Sequence, residues 1–392
     1  MWPTRLDSFP LLLPEPRSWP FEVRQVATKS SSRRAPARPW EQAAVRTGER
    51  SSTAWPWLLA GGACGATGTI GRSRRRPAER DRRIVRGSSA QMMDWHGYRV
   101  RRVTFDESPR DGRPHIVLVH GFGGSIEYWR RIVPALTSAG YTVHAIDLLG
   151  LGLSEKPNID YSIELWATQV VDFCSELEHG SKPDVVLVGN SFGSLISLVA
   201  ARKMSQAKGI VMLNCAVGMN NKNMLKAPMD GLQKWFAGLV LSLVDFVFKS
   251  PVLDFLFSKY ATADTVGPIL ESLYPTNPSA ADAEIVSSFV TPAEDPGAVE
   301  VLRQIYTGDP GPTPMEIAED PYFDSFPIKV VWGSQDGLTP ITGGVGTYFT
   351  RLAKERDNVD FEIVAAGHIP HDENPEAVNK AVLGWLAQKP WQ

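Results

Sequence analysis

Three residues of this 392-residue chain have the types required for nucleophilic acyl chemistry, and each stands where a predicted strand ends. Ser191 is the centre of Gly189-Asn190-Ser191-Phe192-Gly193, between the apolar run Val185 to Val188 and the helical stretch Leu195 to Ala201. A G-x-S-x-G set between strand and helix makes a turn so tight that the serine Oγ projects above the sheet, and small flanking residues let the backbone pass its neighbours. The bare pattern arises by chance in roughly one chain in eight of this size, so the strand before it and the helix after it carry the assignment. A serine hydroxyl needs a base to take its proton, and the base needs an orienting acid. Asp336, in Trp332-Gly333-Ser334-Gln335-Asp336, and His368, in Ala366-Gly367-His368, supply both just past two late strands. The order serine, acid, base is not that of the two well-known serine protease folds. Because a general base must be neutral to accept a proton, the rate is expected to fall on the acid side of about pH 6 to 7.

Each assignment has a competitor. Gln335-Asp336-Gly337 is also turn chemistry, which would make Asp336 an ordinary turn residue. His371 competes for the base but lies three residues beyond the strand-end turn. His120 is expected to shape its own loop, and His115, His144 and His179 have no partner motif and read as structural or surface residues. The oxyanion donors are expected to be the backbone N–H groups of Phe192, just after the nucleophile, and Phe122, in a glycine-rich loop. Asn190 and Ser125 could assist from the edge of the site. Histidines and acids show no metal-ligand spacing, so no metal and no cofactor are expected. Cys64, Cys174 and Cys215 share no redox or metal spacing, and no Walker-type loop is present.

These residues require a scaffold of alternating strands and helices. Around Trp95 to Ser108 the alternation fits one or two antiparallel edge strands. Ile116 to Val119 then leads into the loop His120 to Ser125 and a helix from Tyr128 to Thr137. Thr142 to Ile146 precedes a helix from about Ile163 to Leu177, the Ser191 unit is third, and Gly209 to Leu213 is the fourth core strand. Such spacing demands crossover connections, hence an open, mostly parallel α/β sheet flanked by helices. From residue 216 to 326 the rhythm breaks into apolar helical stretches, including Leu232 to Phe248 and Pro251 to Tyr260, and an insertion of that length is expected to fold as a helical cap. Its aromatic residues, among them Trp235, Phe236, Phe246, Phe248, Phe255 and Phe257, exceed what one packed stripe per helix needs, so Trp235 and Phe236 are expected to line a substrate pocket. The sheet resumes at Ile328 to Trp332 and Phe361 to Val364, and the chain ends on a helix from Pro375 to Leu386. The expected division is therefore a core of residues 91–215 and 327–392, with the cap between.

The first 90 residues differ in kind. Met1 to Gly87 holds 17 Lys/Arg against 7 Asp/Glu, while the whole chain has a net charge of −2. The segment is rich in Arg, Ser, Ala and Pro without a sustained apolar period, so it reads as a disordered basic targeting segment. Its apolar, glycine-rich stretch Trp55 to Ile70 is short for a membrane span. An organelle transit peptide is expected.

The motifs together resemble a known family. HGFGGS, AIDLLGLGLSEKP, LVGNSFGSL, VWGSQD and AAGHIPHDENPEAVN, spread from about His115 to Leu386, are similar to α/β-hydrolases of cyanobacteria and plastids, especially the chlorophyll dephytylase and pheophytinase group. The segments His368 to Asn379 and Arg303 to Thr307 carry the closest local likeness. The resemblance implies Ser191, Asp336 and His368 as triad, Phe122 and Phe192 as oxyanion donors, and a lipophilic ester, best the phytyl ester of chlorophyll or pheophytin, as substrate. It also implies a chloroplast location, with thylakoid association and a peripheral membrane contact as further expectations. Pheophytinases typically have Pro where His120 stands and Gly where Ser194 stands, which points to a relative with a different ester. A serine at the elbow separates the chain from haloalkane dehalogenases and epoxide hydrolases, which use aspartate there. A general lipophilic carboxylesterase and a non-hydrolytic ligand-binding homologue remain the alternatives. Nucleic acid is not an expected partner, and the sequence does not set the oligomeric state.

Overall fold

The structure is a computed structural model and describes residues 90–105, 112–177, 183–220, 222–223, 238, 241–242, 244–389 and 391. The segment expected to act in targeting, apart from residue 90, and Trp235 and Phe236, expected to line a pocket, lie outside the described residues.

Eight strands form one sheet in the order β1-β2-β4-β3-β5-β6-β7-β8. β1 (Gln91–Trp95) and β2 (Tyr98–Phe105) make an antiparallel hairpin, turned at His96 and Gly97, whose φ values are 53° and 86°. β2 pairs antiparallel with β4 (Val143–Ile146). From there β3 (His115–Val119), β5 (Val185–Asn190), β6 (Ala207–Leu213), β7 (Ile328–Gly333) and β8 (Val359–Val364) continue in parallel. The central strands are buried on both faces, which is why they read as unbroken apolar runs.

Helices cover both faces. Among the described residues they include, in chain order, α1 (Val133–Ser138), α2 (Ile163–Glu176), α3 (Phe192–Ala201), α4 (Val252–Tyr260), α5 (Ala263–Ser272), α6 (Ala283–Ala293), α7 (Ala298–Thr307), α8 (Pro314–Ala318), α9 (Gly344–Glu355), α10 (Pro370–Glu373) and α11 (Pro375–Gln388). One core packs α2, α3, α8 and α9 on one face of the sheet, around Trp166, Phe192 and Phe349. The other packs α1 and α11, with Trp129, Leu136 and Trp385, and extends to Ile285 and Leu270 of the helices inserted between β6 and β7.

Two elements differ from the sequence expectation. The helix expected over Tyr128 to Thr137 is a short 3-10 turn, Ile126–Trp129, followed by α1. Pro134 lacks an N–H and fits only the first turn of a helix, so α1 begins beside it. β8 starts two residues earlier than its apolar run, at Val359. There the exposed Asp360 and the half-buried Glu362 bind the buried Lys329 of β7 at 2.8 and 2.7 Å, so a charge pairing across two strands replaces apolar alternation.

The inserted helices sit over the carboxyl ends of the strands. Lys156, after β4, reaches Asp295 at 3.0 Å. His368, after β8, donates its backbone N–H to the carbonyl of Leu273 at 3.1 Å. A Cβ on Gly123, after β3, would lie 3.3 Å from the Phe289 ring.

Candidate active site

Ser191 joins β5 to α3 at φ 55° and ψ −120°, a backbone conformation that non-glycine residues rarely adopt. The turn is held open by its neighbours. A Cβ on Gly189 would lie 2.3 Å from the Gly193 carbonyl oxygen, and one on Gly193 would lie 2.0 Å from that of Val119. Ser194 bolts the turn to the next strand: its hydroxyl donates to the Gly189 carbonyl at 2.7 Å and accepts from the Leu213 N–H at 3.1 Å. Ser194, noted from the sequence only as a departure from glycine, thus has a structural task. Gly193→Ala is expected to abolish the soluble fold or the elbow, because the new carbon would lie 2.0 and 2.5 Å from the carbonyl oxygens of Val119 and His120. Gly384→Ala is the control. Gly384 lies in α11 with nothing within 4 Å of the added carbon, so that change is expected to be neutral or stabilising by up to about 1 kcal/mol. Soluble yield and thermal melts compare the two.

The sheet brings Ser191, His368 and Asp336 together. His368 Nε2 lies 2.9 Å from Ser191 Oγ, and His368 Nδ1 lies 2.8 Å from Asp336 Oδ2. All three are nearly buried, with 8, 5 and 4% of their surface exposed. A carboxylate can only accept, so the neutral imidazole carries its proton on Nδ1 and offers the Nε2 lone pair to the serine hydroxyl.

Asp336 serves the turn with one oxygen and the histidine with the other. Oδ1 accepts the backbone N–H groups of Leu338 and Thr339 at 2.8 and 2.9 Å, while Oδ2 accepts from the Thr339 hydroxyl at 2.6 Å and from Asn214 Nδ2 at 2.5 Å. Both sequence readings of this residue, turn former and acid, therefore describe the same side chain. Burial opposes its charge, but the hydrogen bond and charge of His368, with the Thr339 and Asn214 donors, outweigh burial and hold the carboxyl below its ordinary range.

Sequence reasoning missed Asn214 and Thr339. Asn214 directly follows β6, has φ 46°, accepts the Gly333 N–H at 3.1 Å and donates to the Gly367 carbonyl at 3.2 Å, so it fastens the ends of three strands around the acid. Its one local signal is a polar residue closing an apolar strand.

The other histidines occupy different places. His120 donates from Nδ1 to the Gly121 carbonyl at 2.8 Å and accepts the Leu148 N–H on Nε2 at 3.1 Å, tying the glycine-rich loop to the loop after β4. His371 lies between the rings of Tyr128 and Trp129, each 4.4 Å away by ring centres. His115 and His144 hydrogen-bond each other at 3.0 Å. His179 is outside the described residues.

Gly121 presses the glycine-rich loop against the elbow, since a Cβ there would lie 3.2 Å from the Asn190 carbonyl oxygen and 3.3 Å from Ser191 Cβ. Phe122 follows directly. Phe192 is the first residue of α3, where backbone N–H groups have no partner within the helix. Asn190 is not at the site edge but fully buried. It accepts from the Tyr128 hydroxyl and donates to the carbonyls of Leu213 and His368, both at 3.1 Å. Ser125 is buried as well, at the N-terminus of the 3-10 turn.

Buried charges brace these loops. Asp147, at the end of β4, accepts from Arg101 at 3.2 Å and from the N–H groups of Ile126 and Leu153 at 2.7 and 2.8 Å. After His368, Asp372 takes Arg130 at 2.8 Å and the Tyr274 hydroxyl at 3.0 Å, and Glu373 takes the Gly367 and Thr276 N–H groups at 2.5 and 2.6 Å. The acids of the HDE run thus bind the inserted helices to the histidine loop.

A mostly parallel sheet with these three residues at its strand ends is the arrangement of one large family. The chain belongs to the alpha/beta hydrolase fold family, whose sequence profile matches residues 114–375. Among curated relatives it is 26% identical over 326 residues to the chloroplastic pheophytinase of Arabidopsis thaliana, covering 73% of this chain and 64% of that protein. It is also 26% identical over 290 residues to the 2-hydroxy-6-oxo-6-(2'-aminophenyl)hexa-2,4-dienoic acid hydrolase of Metapseudomonas resinovorans, covering 71% of this chain and 85% of the relative. The chain therefore spans somewhat less than two thirds of the plant protein. Among solved structures, an alpha/beta hydrolase fold protein from Burkholderia ambifaria superposes with a TM-score of 0.54 at 22% identity, covering 75% of this chain and 97% of that one. A serine hydrolase involved in carbazole degradation superposes with a TM-score of 0.52 at 21% identity, covering 77% of this chain and all of that one. At such identity the structures establish the fold alone.

Proposed function

We propose that this protein is a serine-dependent carboxylic ester hydrolase acting on a lipophilic ester, and that its substrate is the phytyl ester of chlorophyll or pheophytin. The observation that carries the serine chemistry is the continuous hydrogen-bond path from Ser191 Oγ through His368 to Asp336, at 2.9 and 2.8 Å. In the first step Ser191 Oγ attacks the ester carbonyl and His368 Nε2 takes its proton. The negative charge formed on the carbonyl oxygen is received by the backbone N–H groups of Phe122 and Phe192. The C–O bond to the alcohol then breaks, the alcohol leaves with the proton from His368, and the acyl group remains on Ser191. Water that gives its proton to His368 attacks the acyl carbon, and the acid departs as the proton returns to Ser191.

Two observations support the substrate. One is the similarity to a pheophytinase. The other is the apolar and aromatic character of the inserted helices, which act in this reading as the cap over the site. Each methylene of an isoprenoid chain moved from water into such a pocket contributes about 0.8 kcal/mol, enough for a phytyl group to dominate affinity. The name of the plant relative and the basic N-terminal segment support a chloroplast location. Exposed Phe246, Phe255 and Tyr260 in the inserted region support a peripheral contact with a membrane in which such esters dissolve. A second reading, a general lipophilic carboxylesterase, is favoured by the equal identity to a bacterial hydrolase of a different acid.

Incubation of the purified protein with chlorophyll a, pheophytin a and a plain long-chain acyl ester decides between them. Release of phytol from either pigment is the expected result. Cleavage of the acyl ester with no phytol released would replace the pigment reading by the general esterase, and no turnover of any ester would leave a ligand-binding homologue.

A further inference from the structure

Three aromatic rings from separate parts of the chain meet beside the elbow. Phe122 belongs to the loop that Gly121 presses against Ser191, and its side chain is 41% exposed although the loop is packed on both sides. The edge of its ring meets Tyr306 of α7 at 6.0 Å and 81°. Tyr306 in turn stacks on Phe248 at 4.4 Å and 22°.

The stack is fixed by its surroundings. Arg303, one turn before Tyr306, donates to the carbonyl oxygens of Phe248 and, at 3.2 Å, Ser250. The same guanidinium is held by Asp254 at 2.7 Å and Glu300 at 2.9 Å. On the other side, Asn220 Nδ2 donates to the carbonyls of Ile305 and Gly308 at 2.9 and 3.1 Å, pinning the end of α7 to the loop after β6. The Tyr306 hydroxyl makes no hydrogen bond among the described residues. Two rings held parallel and a third held edge-on form a rigid surface of π faces and edges. Such a surface favours a flat ring system over a puckered one of equal carbon count, because offset stacking and edge-to-face contacts add to area burial.

We propose that Phe122, Tyr306 and Phe248 form an aromatic platform that receives the flat, conjugated ring system of the ester. The proposal rests on the ester hydrolysis above and names the residues that select its substrate. Phe122 then has two tasks: its backbone N–H faces the carbonyl oxygen and its ring positions the conjugated group next to that carbonyl.

The test uses two acids with the same bicyclic carbon skeleton, flat 2-naphthoic acid and puckered decahydronaphthalene-2-carboxylic acid, together with their ethyl esters. Equilibrium binding of the acids and kcat/KM for the esters are measured on the full chain and on Tyr306→Leu, Phe248→Leu and Tyr306→Phe. The wild type is expected to prefer the flat acid by about tenfold. Both leucine variants should lose most of that preference, Tyr306→Phe should keep it, and the ester ratio should change through KM. A ratio within one variant is insensitive to partial loss of folded protein. No preference in the wild type, or a preference unchanged in both leucine variants, overturns the platform. Preferential binding of the flat acid without hydrolysis of either ester would leave the platform standing and remove the serine esterase reading.

Discussion

Ser191→Ala and His368→Ala are each expected to lower kcat by about six orders of magnitude, and Asp336→Asn by about four, when hydrolysis of the best ester is followed with active-site titration of the wild type. The size follows from the geometry. With His368 Nε2 at 2.9 Å from Ser191 Oγ, proton removal and attack are one event, so loss of either partner removes the whole path. In the proposed mechanism the residual rate then comes from substrate binding and from the backbone donors of Phe122 and Phe192, which no side-chain change deletes. Asp336→Asn has the smaller effect because the imidazole stays in place. However, an amide NH2 facing Nδ1 reverses the favoured tautomer, and Asn214 and Thr339 would then donate toward a group that is itself a donor. The double change Ser191→Ala with His368→Ala should cost little more than either alone. Full activity in any single variant would remove that residue from the mechanism.

The second large effect is on stability in acid. Burial pushes the imidazoles of His144 and His371 down to about 3, His144 with further help from the charges of His115 and Arg102, and His371 with help from His368. In the unfolded chain each titrates near 6.5. Between those values the unfolded state holds protons that the fold refuses, so the stability contribution is complete above about pH 6.5 and lost as pH falls toward 3. Two such groups give a slope of about 2.7 kcal/mol per pH unit in the middle of that window, several kcal/mol in all. Urea denaturation from pH 8 to pH 4.5 should show the slope. His371→Phe, which keeps a ring between Tyr128 and Trp129, should reduce it by about 1.4 kcal/mol per pH unit at pH 5. A slope unchanged in His371→Phe would show that this imidazole is not held neutral by the fold. Asp336, held below its ordinary range, adds a loss of the same sign only at lower pH, since a carboxylate is protonated in the unfolded chain below about pH 4.

Sequence is legible wherever a short stretch of chain must satisfy a physical demand on its own. A strand buried on both faces has to be apolar throughout, so β3, β5, β6 and β7 were legible within a residue or two. The elbow was legible because its two glycines answer a steric demand only a few residues long. Ser191, Asp336 and His368 were legible because each stands just past a strand, where a parallel sheet gathers its strand ends. Polar residues that act across the fold left no such mark. Asn214 and Asp336 are 122 positions apart, and Arg130 and Asp372 are 242 apart. Nothing in a local pattern distinguishes an asparagine or arginine facing water from one facing a buried carboxylate. The same ambiguity hid the first two residues of β8, where Asp360 looks like the end of a solvated loop until Lys329 is placed beside it. It also hid the fate of His144 and His371, whose charge depends on surrounding volume rather than on neighbours in sequence. The Phe122, Tyr306 and Phe248 cluster belongs with these: which of many aromatics meet is visible only in the folded chain, because ring contact depends on how an inserted helix is seated over the strand ends.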